Sequence, residues 1–263
     1  MNLPVEVITG VEQRRCVLFV GPTYSREAAL KAQQQYPSGK TLAKALGWRK
    51  PRQILGARKV RPIPSVVAAA GAFQATHGRT RLIEELRLRL ELDGVEPSEA
   101  HRISLKYFPF IVTTNYDTLL EQSAHAARCS VVVSHRGDVI PTDDLQQPMI
   151  YKLWGDFGRT QELIVTQQDH DEHRLSPAVR RQMRRVIRKN VILFVGYRPD
   201  EELFERLWAE LTECYGGELP RCHMAVPQGK ITDYLWQKWV WRGLLMFTAD
   251  PTECMKEVEK RTN

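Results

Sequence analysis

Thr113-Thr114-Asn115-Tyr116-Asp117 places two hydroxyls, an amide, a phenol and a carboxylate directly after the apolar run Phe110-Ile111-Val112. Small polar side chains at the end of an apolar strand stand at the carboxyl edge of a parallel sheet, where open α/β folds bind ligands. Hydroxyl, amide and carboxylate groups there suit hydrogen bonding to sugar hydroxyls or to a positioned water. The competing assignment is an Asx turn that caps the next helix. Three further apolar runs end in the same manner. Cys16–Val20 runs into Gly21-Pro22-Thr23-Tyr24-Ser25, Met149–Leu153 into Trp154-Gly155-Asp156, and Val191–Val195 into Gly196-Tyr197-Arg198-Pro199-Asp200. Between the last two lies Leu163-Ile164-Val165-Thr166-Gln167-Gln168-Asp169.

In this order the segments resemble the sirtuin-like family, and in particular its bacterial branch associated with antiphage defence. That family reads Gly-Ala-Gly-x-Ser after its first strand. Thr-Thr-Asn-Tyr/Phe-Asp, Lys-Leu-His-Gly, Thr-x-x-Asp and Phe-x-Gly-Tyr-x-x-x-Asp come next. The resemblance spans about Cys16 to Asp250 and is most specific at Thr113–Asp117 and Leu193–Tyr197. It implies NAD, as substrate or ligand, or an ADP-ribose-like nucleotide. In active relatives the reaction is hydrolysis of the nicotinamide–ribose bond, with depletion of NAD in infected cells. By the same resemblance Asn115 orients the ribose or a water, and Asp117 holds the loop or meets the nicotinamide end. Gly21, Ser25, Thr113, Gly196 and Tyr197 contact the cofactor, and Asp250 stands at the adenosine end.

Two departures bear on turnover. Trp154 occupies the position of the family's His. Imidazole titrates near ~6.5 and can take a proton, whereas indole is a donor only. Gly21-Pro22-Thr23 carries Thr in place of the family's second Gly, and Pro22 removes a backbone donor. Weakened or lost hydrolysis is expected, a pseudoenzyme in the limit. An active NAD glycohydrolase that works without that His is the alternative. His170 and His173 come after Asp169 and read as solvent-facing residues at a helix entry.

The elements that must position these residues alternate strand and helix, which predicts an α/β, Rossmann-like doubly wound parallel sheet with a small helical insertion. One domain is expected, its core at about 16–34 and 105–250 and its insertion at about 35–100. The segment up to Arg15 reads as a short arm. Helices are expected at Ser25–Ala32, Leu42–Leu46, Val66–Phe73, Thr80–Leu92 and Asp117–Ala127, with a strand at Ser130–Val133. In Thr80–Leu92 the alternation of leucines also fits a strand, but its Glu and Arg content favours helix. Arg136–Pro148 and the basic stretch Pro51–Pro64 read as loops. Ser176-Pro177 opens a helix by the cap-plus-proline rule. Ser38-Gly39-Lys40-Thr41 imitates the end of a nucleotide-triphosphate loop, but Gln34 stands where its first Gly belongs.

With 263 residues, 43% hydrophobic and 26% charged, the chain has the composition of a globular protein. No run approaches the ~18 apolar residues of a membrane span. The first ten residues lack a secretory pattern, so a cytoplasmic location is expected. The five cysteines form no Cys-x-x-Cys pair, so no metal site and no zinc is expected. Deacylation, which leans on the same His, is disfavoured.

A net charge of +7 favours an anionic partner. A defence-system partner protein or a homo-oligomer would fit, and so would the nucleotide itself. The helix carrying Arg180 to Lys189 is a further, less expected, nucleic-acid contact, and a solvated face is its ordinary meaning. A non-enzymatic interaction scaffold is therefore the third reading.

Overall fold

The computed structural model describes residues 3–34, 36–47, 65–92, 94–135, 137–138, 147–172, 174–229 and 231–262. The chain runs α1 (Val5–Glu12), β1 (Cys16–Val20), α2 (Pro22–Lys31), α3 (Gly39–Ala45), α4 (Val66–His77), α5 (Arg79–Leu90) and α6 (Glu99–Tyr107). It continues with β2 (Phe110–Thr113), α7 (Leu119–Ala126), β3 (Val132–His135), β4 (Met149–Lys152), α8 (Gln167–Glu172) and α9 (Pro177–Lys189). The closing elements are β5 (Val191–Val195), α10 (Glu202–Tyr215), β6 (Cys222–Val226), α11 (Asp233–Val240), β7 (Leu244–Thr248) and α12 (Pro251–Thr262).

Among the described residues the strands form one seven-stranded sheet in the order β3-β4-β2-β1-β5-β6-β7. Every pairing is parallel, with Val17 opposite both Phe110 and Ile192. This is the expected doubly wound sheet. From β1 the chain first builds outward through β2 and β4, then returns to build through β5, β6 and β7. The reversal lies between β1 and β5, and the crevice for a ligand opens at their carboxyl ends.

The central strands read as unbroken apolar runs because helices cover both faces. On one face pack Val179, Met183 and Ile187 of α9, with Phe204 and Trp208 of α10 and Trp239 of α11. On the other lie Val7 and Val11, Ile103, and Met255 and Val258. A third cluster joins α3, α4 and α5 to Ala28, Leu119, Phe157 and Leu163 beside the carboxyl edge of the sheet. In α5 Leu82, Leu86 and Leu90 are buried while Leu88 is 76% exposed, so the leucine alternation serves a helix. Ser176 caps α9 as expected, its hydroxyl accepting from the Val179 amide at 3.3 Å.

Three elements differ from the sequence reading. The leading arm is a helix, because Val7 and Val11 recur at helical spacing, and it packs closely at Gly10, where a Cβ would stand 3.0 Å from the Val191 side chain. Helix α6 begins with a capping box whose third residue is His101 rather than Glu or Gln. The His101 Nδ1 accepts from the Ser98 amide at 3.1 Å, and burial pushes its pKa down to about 4, keeping it a neutral acceptor. Strand β3 begins two residues later than expected. The loops expected at Pro51–Pro64 and across most of Arg136–Pro148 lie outside the described residues. Among those described, no helix is long and apolar enough to cross a membrane.

Lys152, at the end of β4, is 1% exposed. Its ammonium donates to the Asp117 carbonyl at 2.5 Å and pairs with Glu121 of α7 at 3.1 Å. A cation so buried is tolerated only when paired, so Lys152 locks the turn after β2 to its neighbouring strand. Lys152→Met leaves Glu121 without its partner and is expected to lower stability by about 3–5 kcal/mol. Chemical denaturation measures this, and an unchanged midpoint would remove Lys152 from that role.

Candidate functional site

Thr113 begins the site by fixing the turn that leads out of β2. Its hydroxyl donates to the Val20 carbonyl at 3.1 Å and accepts from the Asn115 amide at 3.0 Å, tying that turn to β1. The Tyr197 hydroxyl reaches the same Val20 carbonyl at 2.9 Å and lies 3.2 Å from the Thr114 hydroxyl. Burial holds the Tyr197 phenol protonated by pushing its pKa up. Asp117 accepts from the Ser25 hydroxyl at 2.6 Å and caps α7 through the Leu119 amide at 3.2 Å.

These partners settle which way the Asn115 amide points. The Ser25 proton goes to Asp117, so the Ser25 oxygen is left as an acceptor. The Gly21 carbonyl is an acceptor only. The Asn115 Nδ2 donates to both, at 2.8 and 3.1 Å. Its Oδ1 is therefore turned away from them, buried and without a hydrogen-bond partner. A buried acceptor left unmade is costly, and Asn115 lines the main cavity of the cleft.

Gly21 and Gly196 meet where the sheet reverses. The Gly21 amide donates to Val195 and the Thr23 amide to Gly196, both at 2.9 Å. The Tyr24 amide turns back to Gly21 at 3.1 Å. A Cβ on Gly21 would stand 2.6 Å from the Tyr197 ring, and one on Gly196, at φ +84°, would stand 2.8 Å from the Gly21 carbonyl. The bare α-carbon of Gly21 thus admits Tyr197. Helix N-termini bind phosphate through free amides. Here Pro22 has no amide and those of Thr23 and Tyr24 are taken, while the Thr23 hydroxyl is buried without a partner.

The cavity, about 70 Å³, lies between this edge of the sheet and helices α3 to α5. Leu42, Val67 and Leu86 supply apolar wall, and Asn115, Tyr116, Trp154 and His170 stand on the strand side. Trp154 is 3% exposed, and its indole donates to Glu210 at 3.2 Å. His170 meets its ring edge-on, with centroids 5.4 Å apart.

The cleft position of His170 corrects the solvent-facing one expected from sequence. The sequence signals only the helix start before it, Thr166-Gln167-Gln168-Asp169, a reciprocal cap. Asp169 accepts from the Thr166 amide at 2.7 Å and Thr166 accepts from the Asp169 amide at 3.1 Å. Arg79 adds a bridge to Asp169 at 2.8 Å. This cap fixes the start of α8 and turns the next residue toward Trp154. His173 lies outside the described residues.

The structure thus brings Gly21, Ser25, Thr113, Asn115, Asp117, Gly196 and Tyr197 together, with Trp154 facing the same cavity as Asn115. Asp250 follows β7 and is exposed. Partial burial and the carboxylates of Glu253 and Glu27 raise its pKa. Asp200 pairs with Arg198 at 2.7 Å. Among the described residues no group of three or more His, Cys, Asp or Glu side chains could hold a metal ion.

A parallel doubly wound sheet with polar side chains gathered at its point of reversal defines the class, a Rossmann-like α/β protein. The model of the SIR2-like domain matches residues 109–241, and the chain belongs to that family. A Sir2 enzyme, solved in a study of the mechanism and regulation of these enzymes, shares the fold at TM-score 0.50 and 10% identity, over 99% of this chain and 98% of its own. A Sir2 homologue, a His-to-Asn mutant in complex with ADP-ribose, aligns at TM-score 0.48 and 14% identity over 99% of this chain and 96% of its own. No curated protein matches the sequence.

Gly21→Ala forces the Tyr197 ring away and is expected to cost about 1–3 kcal/mol, as overpacking does. Thermal and chemical unfolding measure it. A variant as stable as wild type would show that Tyr197 does not depend on the missing side chain.

Proposed function

We propose that this chain is a nucleotide-binding SIR2-like domain of a bacterial antiphage-defence system. It takes NAD or an ADP-ribose-like nucleotide by the ribose end and hydrolyses the nicotinamide–ribose bond slowly or not at all. The observation that carries this reading is the Asn115 Oδ1, a buried acceptor without a partner in a residue that lines the cleft. A ribose hydroxyl or an attacking water would satisfy it. The ribosyl end therefore fits the residues present. The diphosphate does not fit in the usual way, because the first amides of α2 are absent or taken.

The bond breaks through an oxocarbenium-like state, so a productive site must hold the ribose, stabilise positive charge and admit water. Asn115 can orient the sugar. Trp154 offers no basic nitrogen, and its donor is engaged by Glu210. Thr113, Ser25, Asp117 and Tyr197 act from beneath by fixing the Asn115 loop. In this reading the core is about 16–34 and 105–250, and α3 to α5 belong to an insertion at about 35–100 that walls the ligand. A defence partner or a second copy of the chain completes the assembly, and no zinc takes part.

His170 favours a second reading, an active NAD glycohydrolase, since it brings an imidazole into the cleft beside Trp154. Calorimetry with NAD and ADP-ribose, together with NAD turnover, decides between them. Asn115→Ala is expected to weaken binding by about 1 kcal/mol, roughly fivefold. Wild type should turn over NAD negligibly. Trp154→His alone should gain little, and Trp154→His with Pro22→Ala and Thr23→Gly a measurable rate, since general acid–base help is worth ~10²–10⁴-fold. Robust wild-type turnover abolished by both Asn115→Ala and His170→Ala would replace the first reading with the second. Absence of any nucleotide binding would overturn both.

A further inference from the structure

Helix α9 has thirteen residues and no acidic one. Its buried stripe is Val179, Met183, Val186 and Ile187. Arg181, Arg184, Arg185, Arg188 and Lys189 are all exposed and together line one shallow hollow. Among the described residues, Arg181, Arg184, Arg188 and Lys189 form no ion pair, and the nearby Glu213 pairs with Arg180 and Arg174 instead. Arg184 donates to the Cys214 carbonyl at 3.2 Å.

The row continues past the end of the helix. The Arg15 guanidinium donates to the Lys189 carbonyl at 3.2 Å, and an adjoining hollow is lined by Arg15, Arg188 and Lys189. The one carboxylate on that hollow, Glu6, faces Arg221 at 3.8 Å. Arg15 immediately precedes β1 and Lys189 is separated from β5 by one residue, so the row ends at the amino edge of the sheet. The cleft of Asn115 is at the opposite edge.

Like charges three and four residues apart weaken a helix. Interaction with the helix dipole offsets this for Arg188 and Lys189 in the last turn, but not for Arg181 and Arg184. We propose that this row is a docking face for the phosphate backbone of double-stranded nucleic acid. Arg181 to Lys189 span about 12 Å at the rise of an α-helix, a straight and rigid line of cations. Duplex DNA offers one charge per ~3.4 Å along each strand. The row carries no aromatic side chain between its cations, so it has no platform for stacking unpaired bases, which single-strand binders use. Contact is with phosphates, without base readout.

The test is fluorescence anisotropy of the full chain with a labelled DNA duplex of about 20 base pairs, across salt from about 50 to 300 mM. Wild type is expected to bind with a log–log salt slope of roughly −2.7 to −4.5, for three to five phosphate contacts. Arg181→Glu/Arg188→Glu/Lys189→Glu is expected to weaken binding roughly tenfold or more and to flatten the slope by about 2.7. The neutral variant Arg181→Ala/Arg188→Ala guards against charge reversal acting through misfolding, and should flatten it by about 1.8. Both variants are checked for wild-type melting. Binding of NAD by all three proteins is measured alongside, so failure at the cleft is separable from failure here. Undetectable wild-type binding, or duplex binding unchanged in both variants, would overturn the proposal. So would tighter binding of a single strand or of a poly-glutamate peptide than of the duplex.

Discussion

Gly21 and Gly196 touch backbone to backbone where the two halves of the sheet part company, and the Tyr197 ring closes over them. That contact governs the site. In a doubly wound sheet the crevice at the reversal is the natural place for a ligand's phosphates. Here protein fills it, from the Thr23 amide on the Gly196 carbonyl to the Tyr197 hydroxyl on Val20. The same hydroxyl lies beside Thr114, and Thr113 shares its acceptor, so the Asn115 loop inherits its position from that junction. The cavity beside Asn115 opens to one side of that junction, under α3 to α5.

Much of this is legible in the chain. The unbroken apolar strands announce a sheet covered on both faces, and Ser176-Pro177 announces a helix start. The polar cluster after β2 is visible as such. What the cluster does is not, because a hydroxyl facing a carbonyl inside the protein and one facing a ligand are the same letter. Thr113, Ser25 and Asp117 have internal partners, and only the network of donors and acceptors leaves the Asn115 Oδ1 over. His170 escapes a sequence reading although its cap is readable, since a cap locates a helix start without saying what the next residue faces. Helix α6 escapes it because His101 takes the place of Glu or Gln in its capping box.

The two edges of the sheet also carry different groups. The carboxyl edge of the sheet holds small polar groups and an apolar cavity, and the amino edge ends in Arg15 and Lys189. Parallel strands impose this separation, because each helix that covers the sheet must return from one edge to the other before the next strand begins. A sequence run at the end of such a return helix, as at Arg188-Lys189, is delivered to the far edge whatever the loops above it do.

The cleft is assembled from two kinds of wall with different freedom to vary. Its floor, at Thr114 and Asn115, is tied to β1 and to the Gly21, Ser25 and Tyr197 hydrogen bonds, so a change there disturbs neighbours on three elements. Leu42, Val67 and Leu86, across the opening, are held by apolar packing rather than by hydrogen bonds. Hydrophobic positions of that kind exchange shape at little cost when total volume is kept. The helical wall can therefore change the shape of the cavity one side chain at a time, while the strand-side floor stays as it is.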